Sequence, residues 1–268
     1  MYRRVLLLLF AFQSAVLAAP TVTTGTWGNF TLKTVDDHLE GDGSTLEISQ
    51  SGKVKQRLSG FRIRTAGFPL RPGGYKELVV TLDSGGAHCC YVNAIYTQDG
   101  GALKLIGAFD GTAKYRDLDG DRTQEIIVTQ SSTFFPGWSM ASLNYLSSVW
   151  GWDKRKERLT YQTAKYPEIL NKDAAMELAW LQSYLSNPGE QLDEGWQSPL
   201  SGYYTSKLLA GRKAEAESQI GRTLAAHPEM RIWFNQNRGQ MEQAALEQQK
   251  RLVVGEAISR KLDEGGMR

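Results

Sequence analysis

The segment DLDGDRTQEIIVT, residues 117–129, decides the fold class because an aspartate-rich turn leads directly into an apolar, β-branched run. The run QEIIVT at 124–129 repeats KELVVT, which stands 48 residues earlier at 76–81. A polar, glycine-containing segment and then a longer apolar stretch follow each copy. A period of this length fits a propeller-type blade of about four strands, and two copies are too few to close a propeller. The repeat therefore predicts a partial, propeller-like or sandwich-like arrangement of antiparallel strands.

The composition of the chain changes near residue 170 and predicts two domains. The first part is rich in glycine, threonine, β-branched and aromatic residues. Turn signals such as the Ser-Gly pair at 51–52 and the Asp-Gly-Gly triplet at 99–101 separate its short apolar runs. Short apolar runs separated by turns, without intervening helices, indicate a mainly antiparallel β domain, which we place at 19–168.

The second part, which we place at 169–268, is rich in Ala, Leu, Glu, Gln, Lys and Arg and predicts an all-α domain. Its pattern favours helices over 172–186, 199–210, 213–227 and 229–263, the first of them capped by Asn171. The segment 203–230 is similar to one hairpin of a tetratricopeptide repeat. A plain helical hairpin has the same pattern, and repeat proteins need about three or more units.

Residues 1–18 predict a secretory signal peptide. Arg3 and Arg4 precede an apolar run from Val5 to Leu17, and Ala18 is a small residue before the expected cut. A run of about a dozen residues is short for a bilayer span, so cleavage is favoured over an uncleaved membrane anchor. The mature chain is therefore expected in a periplasm or outside the cell, where disulfides form.

The charge balance bears on the partners of the protein. The 31 basic and 29 acidic residues nearly cancel, which disfavours binding to nucleic acid or another long polyanion. No run after the predicted cut is long and apolar enough for a stable membrane span. The expected partner is an unidentified envelope protein or a glycan.

The aspartate-rich turn has the ligand spacing of a calcium loop. Asp117, Asp119 and Asp121 occupy positions 1, 3 and 5, and Glu125 occupies position 9. Ca²⁺ binds about six to eight oxygen atoms, and the backbone carbonyl of Thr123 at position 7 would add another ligand. Without a cation the clustered carboxylates would repel one another. The sequence therefore predicts Ca²⁺ at these five residues.

Arg122 departs from this pattern, because position 6 of such loops is usually a glycine with a positive φ. An arginine is uncommon in that region of backbone space. The alternative is a metal-free, aspartate-rich turn in which Arg122 forms an ion pair with a carboxylate.

The earlier copy of the repeat shows whether the acids are needed. Glu77 corresponds to Glu125, but Pro69, Arg71 and Gly73 stand where the three aspartates would be. That copy is expected to form a turn without metal, so a calcium site at 117–125 is expected to be single and structural.

Cys89 and Cys90, the only two cysteines, are neighbours in DSGGAHCCYV at 83–92. Adjacent Cα atoms are about 3.8 Å apart, below the usual separation in disulfides of about 4.4–6.8 Å. In an extended strand Cys89 would point away from both His88 and Cys90, which argues against one metal bound by all three. A strained vicinal disulfide, buried or unpaired thiols, and a metal or redox site all stay open.

The segment GWSMA at 137–141 is close to the Gly-x-Ser-x-Gly nucleophile elbow, with Ala141 in place of the last glycine. The elbow needs a strand, a strained turn and a helix of an α/β fold, whereas these surroundings are predicted to be all-β. A serine hydrolase centred on Ser139 is therefore kept as an alternative, beside a thiol-redox protein that uses Cys89 and Cys90.

Two stretches together, KELVVTLDSGGAHCCYV and YRDLDGDRTQEIIV, resemble exported bacterial proteins with FG-GAP or VCBS-like repeats. The resemblance covers residues 70–130 of the chain. It implies a β-propeller-like module with Ca²⁺ at Asp117, Asp119, Asp121 and Glu125, and no established enzymatic activity. Together with the export signal, this favours a non-catalytic binding or scaffold protein of the cell envelope with a structural calcium loop.

Overall fold

The structure, a computed structural model, describes residues 20–37, 43–83, 85, 91–132, 144–186 and 194–251. The predicted signal peptide, Cys89, Cys90 and Ser139 lie outside these residues. The predictions made for them therefore stay predictions.

Antiparallel strands form the N-terminal part of the described chain. In chain order they are β1 (Thr21–Trp27), β2 (Phe30–Asp37), β3 (Gly43–Gln50), β4 (Lys53–Gly60), β5 (Arg62–Phe68), β6 (Glu77–Asp83), β7 (Tyr91–Asp99), β8 (Ala102–Asp110), β9 (Thr112–Arg116), β10 (Glu125–Ser132), β11 (Asn144–Asp153) and β12 (Arg158–Tyr161). They pair into a first, a second and a third sheet, with the orders β1-β2-β3-β4, β5-β6-β7-β8 and β12-β11-β10-β9. Each sheet is an up-and-down meander, the unit from which propeller blades are built.

Helices form the C-terminal part of the described chain. They are α1 (Pro167–Ser186), α2 (Gln197–Leu209), α3 (Lys213–Thr223) and α4 (Pro228–Arg251). The predicted fold class, a mainly antiparallel β part followed by a helical part, is thus confirmed. None of the described helices combines the length and the apolar composition that crossing a membrane requires.

The second sheet lies between the other two, which explains its uninterrupted apolar runs. Side chains of β6 alternate between two cores. Leu78, Val80 and Leu82 belong to the core shared with the first sheet, and Val79 belongs to the core shared with the third. A strand that is covered on both faces is apolar throughout, whereas a strand covered on one face alternates. The first sheet shows that alternation, since β3 buries every second residue along most of its length.

The strand β10 is also covered on both faces. Ile126 and Val128 pack against the second sheet, whereas Ile127 packs with Val149 and Tyr166 where the helical part begins. The repeated runs KELVVT and QEIIVT therefore mark the two strands that lie between layers. The first sheet lacks such a run, which is why the repeat has two copies although the described chain forms three sheets.

A single residue joins each sheet to the next: Phe61 between β4 and β5, and Gly111 between β8 and β9. Gly111 has a φ of 100°, and a Cβ atom there would lie 2.4 Å from the carbonyl oxygen of Thr129. Its N–H donates to the carbonyl of Tyr91 at 2.8 Å, and its own carbonyl accepts a hydrogen bond from Asn93 Nδ2 at 2.8 Å. The second and third sheets thus meet at a position that only glycine fits.

Replacing Gly111 with alanine is expected to lower the free energy of unfolding by about 2 kcal/mol, since the positive φ and the backbone contact both disfavour a side chain. Urea denaturation of the purified variant measures this change. Gly100→Ala is the matched control, because Gly100 also has a positive φ, 55°, but has open space around it. If both variants lose the same free energy of unfolding, the close approach to the Thr129 carbonyl makes no contribution.

Candidate cation-binding loop

The loop between β9 and β10, residues 117–124, is held by hydrogen bonds from its backbone to its own aspartates. Asp117 accepts two, from the N–H of Gly120 at 2.7 Å and from the N–H of Arg122 at 2.9 Å. Asp119 Oδ1 accepts one from the N–H of Asp121 at 3.1 Å. Each oxygen keeps a second lone pair, so these bonds position the carboxylates without exhausting them as ligands.

The loop brings together three of the four predicted acidic ligands. One carboxylate oxygen each from Asp117, Asp119 and Glu125 lie within 4.8 Å of one another. Asp121 is not part of this group. Its carboxylate accepts a hydrogen bond from the N–H of Thr123 at 2.7 Å and lies 3.7 Å from Lys154 Nζ. The hydrogen bond from the Thr123 backbone is the main cause that lowers the pKa of Asp121.

Arg122 takes the backbone conformation that the loop requires, with a φ of 68°. An arginine therefore fills position 6 without glycine. Within the described part of the chain, no carboxylate lies within ion-pair distance of the Arg122 guanidinium. The metal-free alternative had assigned that pairing to Arg122, so the described contacts do not support it.

Glu125 is the buried member of the group. It is 5 % exposed, and its Oε2 accepts a hydrogen bond from the N–H of Leu118 at 2.8 Å. Burial raises the pKa of Glu125, the Leu118 bond opposes this, and the charges of Asp119 and Asp121 raise the pKa further. The side chain is thus held in place by the loop but lacks a neutralising partner among the described residues.

Tyr166, which the sequence did not single out, connects the loop to the helical part. Its hydroxyl donates to Asp119 Oδ2 at 3.5 Å. Burial, together with the nearby charges of Glu125 and Asp119, raises the pKa of Tyr166. Since Tyr166 stands directly before α1, the acidic group lies at the junction of the third sheet and the helices.

The corresponding loop of the second sheet, residues 69–76, shows how the same framework is neutralised. The N–H of Leu70 donates to Glu77 Oε2 at 3.0 Å, as the N–H of Leu118 does to Glu125. Arg71 occupies the position that matches Asp119, and its Nε lies 2.6 Å from Glu77 Oε1. A guanidinium group thus stands beside the buried glutamate where the third sheet has additional acids.

The sequence itself carries a signal for this arrangement. The exchange of an acid for Arg71 opposite a retained glutamate predicts an internal cation. The structure is needed to show that Arg71 also donates to Thr97 Oγ1 and lies 5.4 Å from the centre of the Trp152 ring. These contacts come from strands distant in the chain.

The donor set of the acidic group fits a hard divalent cation. Carboxylate oxygens are the ligands that Ca²⁺ prefers, and three of them converge here. No lysine, arginine or histidine nitrogen of the described chain lies within ion-pair distance of Glu125, in contrast to Glu77. The geometry therefore brings together Asp117, Asp119 and Glu125 as a group that could hold a divalent cation, and the choice of Ca²⁺ stays a prediction.

No protein family matches the chain, and no match was found among curated proteins or among solved structures. The resemblance to proteins with FG-GAP or VCBS-like repeats stays a prediction.

Proposed function

We propose that this chain is an exported, non-catalytic binding or scaffold protein of the cell envelope, in which Ca²⁺ bound by the β9–β10 loop stabilises the junction between the third sheet and the helical part. The observation that carries the calcium proposal is the contrast between two loops. Glu77 has the Arg71 guanidinium at 2.6 Å, whereas Glu125 has two aspartates beside it.

A cation in the loop would remove an electrostatic conflict. A buried carboxylate near other carboxylates is costly to keep ionised, and a divalent cation offsets both the burial and the repulsion. In the second sheet a side chain of the protein already does this. In the third sheet the cation would come from solution, which makes the stability of the loop dependent on calcium concentration.

The position of the loop explains why its role would be structural. Leu118 packs against a small core formed by Ile127, Val149 and Tyr166, together with Ile169 of α1. Tyr166 also donates to Asp119. A loop ordered by Ca²⁺ would therefore hold the first turn of α1 against β10 and β11.

The export part of the proposal rests on residues 1–18, and the two enzymatic alternatives rest on Ser139 and on Cys89 and Cys90. All of these lie outside the described residues. The non-catalytic role is therefore proposed from the calcium loop and from the family resemblance.

Millimolar Ca²⁺ is expected to raise the melting temperature of the wild-type protein by about 5–10 °C relative to excess chelator, if calcium is about a hundredfold above its dissociation constant. Asp119→Ala should abolish that difference, because it removes one of the three converging carboxylates. Differential scanning calorimetry of the full chain in both buffers measures the shift. An unchanged wild-type melting temperature would refute the calcium site.

Two further variants sharpen this experiment. Asp119→Arg copies the arrangement of Arg71 and should stabilise the protein in chelator while removing its response to calcium. Asp153→Ala removes a partly exposed carboxylate that accepts hydrogen bonds from the N–H groups of Arg155 and Lys156 in the neighbouring β11–β12 turn. It should lower the melting temperature in both buffers and leave the calcium shift intact.

A further inference from the structure

A cleft of about 720 Å³ opens between the second and third sheets. Its lining residue Lys154 pairs with Asp121 of the β9–β10 loop. The β5–β6 loop and the β7–β8 hairpin form one wall, and the β11–β12 hairpin forms the other. This volume is in the range of pockets that bind small organic ligands, about 300–1,000 Å³. The lining combines charged side chains of both signs with a tryptophan and two aliphatic residues.

Cationic groups predominate in the lining. Arg71, Lys104, Lys154 and Arg158 face two acids, Asp99 and Glu157. Arg158 has no carboxylate within ion-pair distance in the described part of the chain. The cleft therefore offers binding groups for an acidic substituent.

Two of these cations are held only weakly by the protein itself. Lys104 Nζ is 3.6 Å from Asp99, and both of these side chains are more than half exposed. Lys154 Nζ is 3.7 Å from Asp121 and is also largely exposed. Exposed pairs of this kind contribute about 0–1 kcal/mol. A carboxylate or phosphate of a ligand can therefore replace the protein partner at little cost.

The two acids in the lining disfavour a ligand that is only a simple anion. Asp99 and Glu157 would repel a ligand that carries only acidic groups, but their carboxylates accept hydrogen bonds from hydroxyl groups. The Trp152 ring has the Arg71 guanidinium on one side at 5.4 Å, and its remaining surface, with Leu105 and Ile106, offers apolar contacts for C–H groups. Hydroxyls, C–H faces and one acidic group occur together in acidic saccharides.

We propose that this cleft binds an acidic saccharide, with its carboxylate or phosphate on Arg158, Lys154 and Lys104 and its hydroxyl groups on Asp99 and Glu157. The inference rests on the proposed role as a binding protein and names the class of its ligand. Its test does not require calcium, because none of these three cations lies within ion-pair distance of the converging carboxylates in the described chain. Lys154 pairs with Asp121, which lies outside that group.

Saturation-transfer NMR and titration of tryptophan fluorescence, both in excess chelator, test the proposal with four probes: glucuronic acid, glucose 6-phosphate, glucose and sulfate. Glucuronic acid, glucose 6-phosphate or both are expected to bind at millimolar concentration, at least about tenfold more tightly than glucose or sulfate, because one charge-assisted contact contributes about 1.5–3 kcal/mol. If glucuronic acid binds more tightly, the ligand's acidic group is a carboxylate; if glucose 6-phosphate binds more tightly, it is a phosphate. Binding of neither acid, equal binding of glucose, or equal binding of sulfate would each overturn the proposal.

The double variant Lys104→Gln/Arg158→Gln locates the site. It should weaken binding of the acidic probe by about tenfold or more. Lys33→Gln, an exposed lysine on the first sheet, is the matched control and should leave binding unchanged. Unchanged binding in the double variant would overturn the assignment to this cleft. Because the calcium response is measured separately by melting temperature, failure here and failure of the calcium proposal are distinguishable.

Discussion

Replacing Arg71 with methionine is expected to lower the free energy of unfolding by about 3–5 kcal/mol, because it leaves a buried carboxylate without its cation. Glu77 is 1 % exposed, and the Arg71 guanidinium lies 2.6 Å from its Oε1. The change also removes the hydrogen bond to Thr97 and the contact with the Trp152 ring. Methionine keeps most of the aliphatic volume, so the loss reports mainly on the charge. Urea denaturation at neutral pH measures it.

Arg57→Met provides the comparison for this prediction. Arg57 pairs with Glu47 on the first sheet, but the arginine side chain is 63 % exposed. Removing an exposed pair of this kind should cost less than about 1 kcal/mol. The double variant Arg71→Met/Glu77→Gln should recover most of the stability lost in Arg71→Met, since no buried charge is then left unpaired. If Arg71→Met costs no more than Arg57→Met, the guanidinium does not act as an internal cation.

The second large effect is expected at Glu177, which is buried where α1 packs against α2. The Glu177 side chain is 3 % exposed. It packs so closely on Gly202 of α2 that a Cβ atom added to this glycine would lie 2.8 Å from Glu177 Cδ. Within the described chain its Oε2 has no hydrogen-bond partner. Burial, with an added contribution from the charge of Asp173, raises the pKa of Glu177 from 4.5 to about 7.

This raised pKa predicts that the protein loses stability as the pH rises from about 4.5 to about 7. In that interval the unfolded chain releases the Glu177 proton, whereas the folded protein retains it, so higher pH favours unfolding. This difference in the pKa of Glu177 between the unfolded and the folded state corresponds to about 3 kcal/mol in the free energy of unfolding. Burial also raises the pKa of Asp173, which acts in the same direction. The contribution of Glu177 is fully present below pH 4.5 and lost above pH 7.

Glu177→Gln isolates the effect, because glutamine keeps the shape of the side chain and cannot ionise. The variant should match the wild type near pH 4.5 and exceed it by up to about 3 kcal/mol at pH 8, measured by urea denaturation across this range. Glu168→Gln is the control, since Glu168 is an exposed residue of the same helix. If the wild type is more stable to urea than Glu177→Gln at pH 8, the folded protein stabilises the ionised carboxylate and the prediction is wrong.

Local features of the fold were predictable because backbone geometry decides them. The hairpin turn at 51–52 was predicted from Ser-Gly and is confirmed, with positive φ values of 49° at Ser51 and 77° at Gly52. The start of α1 was predicted wrongly at residue 172, whereas the helix begins at Pro167. Proline suits a first turn because its missing N–H has no partner there. Asn171, predicted as the cap, instead accepts a hydrogen bond from Lys207 of α2 at 3.0 Å.

The acidic group was predictable in part. The spacing of Asp117, Asp119 and Glu125 follows from one continuous loop and the strand after it, and the structure brings these three together. The position of Asp121 was not predictable, because its neighbour Lys154 comes from a different hairpin. The same holds for Tyr166, which packing of the helical part places beside the loop. The spacing of residues within one segment does not predict which residues of another layer will contact it.

The order of the layers has a consequence for how the chain assembles. The first sheet shares its core with the second, the second with the third, and the third with the helices. Every strand pair of the described chain joins strands that are consecutive in sequence. Such a linear stack behaves like a short polymer of nearest-neighbour units, in which each completed layer is the template for the next. Assembly can therefore advance in one direction as residues are added. Loss of the first sheet should destabilise the other layers least. In the described chain this sheet packs against one other layer, and its edge strand β1 is exposed along nearly its whole length.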